Sequence, residues 1–465
     1  MSWDRSFRKL KYQDKSSLLK KLFQTYKDLF PGRRLFAGAG FCVSLFLFSF
    51  FLPWLGDLPY ICFWVFILLL LTDLFLLYVS KKTVFLRREL PDRLSNGDDN
   101  EINVYLENFY KFGIRVGLID EIPFQFQKRD LWFGAALQAA ERKTIRYTLR
   151  PTKRGEYSFG QTRLYVQSPL GLIMRRFNFG KEVMVPVYPS FLQLRKYELM
   201  AISNRLNEIG VKKIRRIGHS LEFDQVKNYV QGDDYRTINW QATARRGELM
   251  VNSFTDEKAQ HVYCVIDKSR SMKMPFEGMS LLDYAINASL VLSNVALLKE
   301  DKAGLITVSE EVGSVVPADR RPAQLGRIME VLYREKTRYL EPNMEALYSK
   351  VRGVLKQRSL IVFFTNFESM SALQRQLPYL KRLAKFHLLL IVFFENTELT
   401  KVSTDDAADV EGIYIKTIAA KFAYEKKMMV KELARHGILS VLTPPENLTV
   451  SVVNRYLAIK AQQRI

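Results

Sequence analysis

The uncharged run Leu35 to Leu55, LFAGAGFCVSLFLFSFFLPWL, limits this chain more than any other feature. It matches the ~20 apolar residues that a helix needs to cross a bilayer. A second apolar run, Leu58 to Ser80, follows after Gly56 and Asp57 and is interrupted only by Asp73. The spacing predicts a transmembrane helical hairpin over 35–80, with both ends on one side. The leader, residues 1–34, holds Arg5, Arg8, Lys9, Lys11, Lys15, Lys20, Lys21, Lys27, Arg33 and Arg34, and Lys81, Lys82, Arg87 and Arg88 follow the hairpin. Lys and Arg collect on the cytoplasmic side of membrane spans, so both termini are expected in the cytoplasm and the protein in the inner (plasma) membrane as a multi-pass chain. A cleaved signal peptide fits neither the long basic leader nor the second span.

Asp73 is an ionisable group at membrane depth, about eight residues or ~12 Å from the Lys81 end. Three fates are open to it: a place near the interface, a partner on a neighbouring helix, or protonation. Cys42, Cys62 and Cys264 lie inside apolar runs at no metal-binding spacing, which excludes a disulfide framework or a zinc site.

Residues 89–189 change to period two. Ile102, Val104 and Leu106 alternate with polar neighbours, as do Ile145, Tyr147 and Leu149. Turn clusters such as SNGDDN and QSPLG separate these half-buried strands, predicting a small antiparallel β-sandwich without catalytic residues. Residues 190–258 then form a connecting segment. Ser190 is placed to cap a helix carrying Leu199, Ile202 and Leu206, and the basic stretch VKKIRRIG follows. Asp233, Asp234, Arg236, Trp240 and Arg245 crowd into GDDYRTINWQATARR, a density that suits a hydrogen-bonded, stacked loop. The expected pairing joins Asp233 or Asp234 to Arg236 or Arg245, with Trp240 packed on the following domain.

From residue 259 to 465, continuous apolar strands (HVYCVID, KAGLITVS, SLIVFFTN, HLLLIVFFEN, GILSVLT) alternate with amphipathic helices. That is the pattern of a doubly wound α/β domain, a mostly parallel sheet covered on both faces. Ligands bind such sheets beyond the carboxyl ends of their strands, where Asp267, Ser269 and Ser271 follow the first strand. One carboxylate and two hydroxyls are hard oxygen donors suited to Mg²⁺.

The stretch DKSRSM resembles the Asp-x-Ser-x-Ser signature of the metal-ion-dependent adhesion site in von Willebrand factor A-type domains. The resemblance implies Mg²⁺ at Asp267, Ser269 and Ser271. It also implies a later Asp where this chain has Asn366, and a Thr in a loop that here offers Glu341. Together with EFDQVKNYVQGDDYRTINWQATARRGEL, the signature resembles the bacterial domain of unknown function 58 family from about Glu89 onward, and the hairpin and sandwich also look like that family's arrangement. The resemblance implies a membrane-anchored accessory protein working beside a MoxR-type AAA+ ATPase.

No G-x-x-x-x-G-K-[ST] loop is present, so P-loop nucleotide hydrolysis is excluded. His219, His261, His387 and His436 are scattered, and His261 starts the strand that Asp267 ends, roughly 20 Å away at ~3.3 Å per residue. A hydrolase is therefore disfavoured. The net charge of +22 raises nucleic-acid binding, but the flanks of the anchor carry much of it and no nucleic-acid motif accompanies it. A non-catalytic, membrane-tethered protein-interaction module is the reading these residues favour.

Overall fold

The computed structural model describes residues 27–80, 83–128, 132–195, 222–231, 233–255, 259–404 and 409–462. Most of the basic leader, Lys81 and Lys82, VKKIRRIG, Leu199, Ile202 and Leu206 of the expected helix, His219 and Gly232 lie outside the described residues. The chain divides into two compact units. The first holds the residues up to Leu94, Asp99–Arg150 and Glu156–Pro186; the second holds Ser95–Asp98, Pro151–Gly155 and the residues from Val187 on.

In the first unit, strand β1 (Leu29–Pro31) leads into helix α1 (Arg33–Phe51), and helix α2 (Leu58–Val79) returns antiparallel to it. Both helices are long and apolar enough to cross a membrane, and their apolar side chains are largely exposed. Phe46 meets Tyr60 edge-on at 5.3 Å between ring centres. A Cβ on Gly38 would lie 2.5 Å from the Phe66 ring, which would have to shift to admit it. Following this pairing along the hairpin sets Asp73 opposite the start of α1. The anchor reading of the hairpin holds.

After α2 come β2 (Val84–Glu89), β3 (Asn100–Asn108), β4 (Ile114–Asp120), β5 (Trp132–Leu137), β6 (Arg142–Leu149), β7 (Thr162–Gln167) and β8 (Ile173–Phe179). They build the expected antiparallel sheets, one ordered β2-β3-β6 and one ordered β1-β8-β7-β4-β5. A short third sheet joins Leu94–Ser95, Val183–Tyr188 and Gly155–Phe159. Ile102, Val104 and Leu106 turn inward as the alternation predicts.

The hairpin is fixed to this unit at both of its ends. Before α1, β1 pairs antiparallel with β8, from Leu29 opposite Arg175 to Pro31 opposite Ile173. Near the end of α2, Asp73 is fully buried and accepts hydrogen bonds from the Ser168 hydroxyl and from the N–H groups of Leu172 and Ile173, both at 2.9 Å. One turn on, the Leu77 carbonyl accepts from the Tyr110 hydroxyl at 3.0 Å and from Arg175 at 2.8 Å. Of the three fates open to Asp73, none named its true partner, which is the sandwich. Asp73→Ala leaves three donors unsatisfied at a buried site and should destabilise this attachment by about 3 kcal/mol. The expected result is faster amide exchange at Leu172 and Ile173 than in the parent, read on full-length protein in detergent.

The second unit opens with a two-stranded antiparallel ribbon, β9 (Glu222–Asn228) and β10 (Met250–Thr255), with the short helix α3 (Trp240–Arg246) between them. The α/β core follows as β11 (His261–Asp267), α4 (Leu281–Leu298), β12 (Lys302–Val308), β13 (Val312–Asp319), α5 (Ala323–Arg334), α6 (Met344–Val354), β14 (Leu360–Phe364), α7 (Met370–Phe386), β15 (Leu388–Phe394), α8 (Thr397–Thr404), α9 (Val410–Arg435), β16 (Leu439–Thr443) and α10 (Leu448–Ala461). The sheet order is β13-β12-β11-β14-β15-β16, parallel except for β13 at the edge.

Alternate strand residues point to opposite faces. Val262, Cys264 and Ile266 pack with α4, α5 and α10, while Tyr263 and Val265 pack with α6, α7 and the end of α9. This is the doubly wound, mostly parallel sheet that the sequence predicts. Helix α4 is also apolar enough to span a membrane, but it is a core helix, 83% buried. The chain winds from β11 to β12 on one side and then to β14 on the other, so the topological switch point lies between β11 and β14.

Candidate functional site

Asp267 closes β11 at that switch point and is fully buried. Its Oδ1 accepts the Ser269 N–H at 2.8 Å, and its Oδ2 accepts the Thr365 hydroxyl at 2.7 Å. Thr365 follows β14 directly, so one carboxylate ties together the ends of two neighbouring parallel strands. Burial pushes the Asp267 carboxyl up, and the bonds from Thr365 and Ser269 oppose that shift. The Ser269 and Ser271 hydroxyls stand 3.1 Å apart at the start of a tight turn.

Lys268 turns away from the edge. Its buried ammonium lies 2.6 Å from Glu335, whose other oxygen accepts from Thr307 at 3.1 Å and Ser314 at 2.8 Å. Backbone bonds hold the loop on both sides: Lys268 donates to Val308, Arg338 to Lys268 and Arg270 to Leu340. A buried ion pair satisfied in this way fixes geometry more than it adds net stability.

Asn366 meets the group through a long 3.4 Å bond from its Nδ2 to the Ser271 carbonyl. Its Oδ1 accepts from the ammonium of Lys426 on α9 at 2.7 Å, and Lys426 also donates to the Phe367 carbonyl at 2.6 Å. Glu341 is engaged elsewhere, 3.3 Å from Arg375 with both side chains 65% exposed.

These residues do not fit a bound Mg²⁺. The ion needs near-octahedral oxygen donors. Here both Asp267 oxygens are held by protein donors, and the Asn366 oxygen faces an ammonium. Among the described residues no group of three His, Cys, Asp or Glu side chains gathers to hold a metal.

Burial also pushes Lys426 down to about 8, with Glu368 opposing the shift. An unfolded lysine titrates near 10.4, so between about 8 and 10.4 the unfolded chain binds more protons than the folded one. Wild-type stability, measured against Lys426→Met in urea, should therefore rise as pH is raised through that window. A constant difference would mean that the ammonium is well solvated.

The GDD loop departs from expectation. Asp233 pairs with Lys227 at 2.9 Å and accepts the Val230 N–H, and the Lys227 bond holds its carboxyl below the usual range. Asp234 accepts the Arg236 N–H at 3.0 Å, and Asn239 caps α3 through the Ala242 N–H. Arg236 reaches the Tyr235 hydroxyl only at 3.4 Å, and Arg245 closes α3 in its last turn. Trp240 is 69% exposed and not packed on the α/β core. The reason is local: a short acidic side chain at a turn meets the nearest N–H before any distant guanidinium.

The three described histidines all lie at the other edge of the sheet. His261 begins β11, His387 precedes β15, and His436 precedes β16 and faces Glu432 at 3.3 Å.

Residues 225–430 match the family described as "Protein of unknown function DUF58". The matched segment runs from β9 through most of α9 and includes both the GDD loop and Asp267. "Uncharacterized protein YeaD" of Bacillus subtilis (strain 168) is 30% identical over 142 residues, 30% of this chain and 33% of that protein. The chain therefore matches about a third of that relative's length. Among solved structures, BatB from Bacteroides thetaiotaomicron is similar at 15% identity, covering 44% of this chain and 99% of its own, with a TM-score of 0.31. An aerotolerance-related membrane protein from Bacteroides fragilis NCTC 9343 is 13% identical over the same shares, with a TM-score of 0.27. Two features went unread in the sequence. Thr365, beside Asn366, could have been noticed; Lys426 could not, because it lies 60 positions from Asn366 and nothing in the sequence brings the two together.

Proposed function

We propose that this protein is a membrane-anchored, non-catalytic interaction module whose working surface is the carboxyl edge of the α/β sheet, and that it serves a MoxR-type AAA+ ATPase. The carrying observation is the Asp267, Ser269 and Ser271 loop at the switch point, where doubly wound sheets present their binding surfaces. The loop is braced by Lys268 and Glu335, while the histidines sit at the opposite edge. A braced edge with no histidine beside it among the described residues suits recognition better than turnover.

Both termini face the cytoplasm in this reading, which the joining of both hairpin ends to one sandwich supports. Reporter fusions at Met1 and Ile465 should both report the cytoplasmic side, and an external reporter at either end would reverse the orientation.

Capture of a MoxR-type ATPase by the full-length protein in lipid nanodiscs tests the role. The surface change Arg270→Glu should weaken capture by about tenfold while leaving the protein folded, and Asp267→Ala, which frees the loop held through Ser269 and Thr365, should weaken it as much with some loss of stability. Equal capture by both variants would move the surface away from this edge.

A further inference from the structure

Beside Asn366 a cleft of about 210 Å³ opens between the carboxyl edge and α9. That is below the roughly 300–1,000 Å³ of small-molecule sites and suits one or two side chains. Its walls are apolar, formed by Phe276, Leu281, Phe394, Leu399, Phe422 and Met429, and Phe422 is 42% exposed at its lip.

The charge around this cleft is the reverse of the rest of the chain. In a protein with a net charge of +22, four carboxylates border it: Glu368, Glu395, Glu398 and Glu425. Among the described residues Lys426 is the only basic one lining it, and its ammonium is already committed to the Asn366 and Phe367 carbonyl oxygens. Glu368 is shared with Arg270 at 3.2 Å on the surface. Glu395, Glu398 and Glu425 have no ion pair among the described residues.

We propose that the cleft receives an apolar side chain from a basic peptide segment of the partner, with the flanking Lys or Arg residues held by the glutamates. Recognition then has the opposite sign to a metal-dependent adhesion site, which would select an acidic side chain. An apolar pocket ringed by carboxylates rewards burial of one hydrophobic group and penalises an incoming anion through like-charge repulsion. This inference rests on the interaction reading above and specifies the chemistry of the partner at the same edge.

The test uses the full-length protein in phosphatidylcholine nanodiscs and a labelled, amidated peptide, Lys-Arg-Leu-Phe-Arg-Lys, followed by fluorescence anisotropy. Binding should weaken as salt is raised, fall about tenfold in the double variant Glu395→Lys and Glu425→Lys, and vanish in Ala423→Trp, which fills the cleft. A second peptide with Glu in place of each basic residue should bind at least about tenfold more weakly. The rim double variant reverses two half-buried rim charges without filling the cleft, so it remains informative if Ala423→Trp fails to fold. Equal binding of the two peptides, binding unchanged in the rim variant, or no binding of the basic peptide would each overturn the proposal. ATPase capture by the same parent protein separates the two readings. Capture with a charge-blind cleft overturns only this inference, and selective peptide binding without capture overturns only the assignment to the ATPase.

Discussion

A carboxylate buried beyond the reach of water needs donors, and Asp267 finds them in the two strands it joins. The Ser269 N–H holds the chain in its turn as it leaves β11, and the Thr365 hydroxyl draws in the end of β14. The rest of the edge is set by this arrangement. It places Ser271 where Asn366 can reach its carbonyl, and it directs Asn366 toward Lys426. Because protein donors meet the desolvation cost of Asp267, no cation is required to do so.

At the same edge the Asp-x-Ser-x-Ser spacing brings three oxygens together, and the end of the neighbouring strand adds the amide of Asn366. An amide carries no charge to offset a divalent ion, but it accepts readily from an ammonium, which is the role Asn366 has here. Lys268, inside the signature, is unavailable to the edge because Glu335 holds it beneath the loop.

Much of this was legible in the sequence because burial leaves a period. The five parallel strands read as unbroken apolar runs, and the sandwich strands read as alternation. The hairpin was plain from its length and lack of charge. Edge and surface elements were harder to read. Strand β13, VGSVVPAD, carries a Gly and a Pro that its edge position tolerates, so it lacks the usual strand pattern. The first turns of α9 expose Val410, Ile413 and Tyr414, so no amphipathic stripe announced them. In the site, Asp267, Ser269 and Ser271 were readable because they are adjacent in sequence. The partners of Asp233, Asp234 and Trp240 were not, because a list of charges does not say which backbone N–H is nearest.

Holding the hairpin at both ends also affects how the protein meets lipid. A helix joined to its domain by a slack tether can tilt or slide when the bilayer is thinner or thicker than its apolar length. Here α2 is held at Asp73 and Leu77 and α1 by the strand before it, so neither can move without the sandwich. Changes in membrane thickness are then transmitted as inclination of the whole first unit, which makes the lipid environment a mechanical input to the domain it anchors.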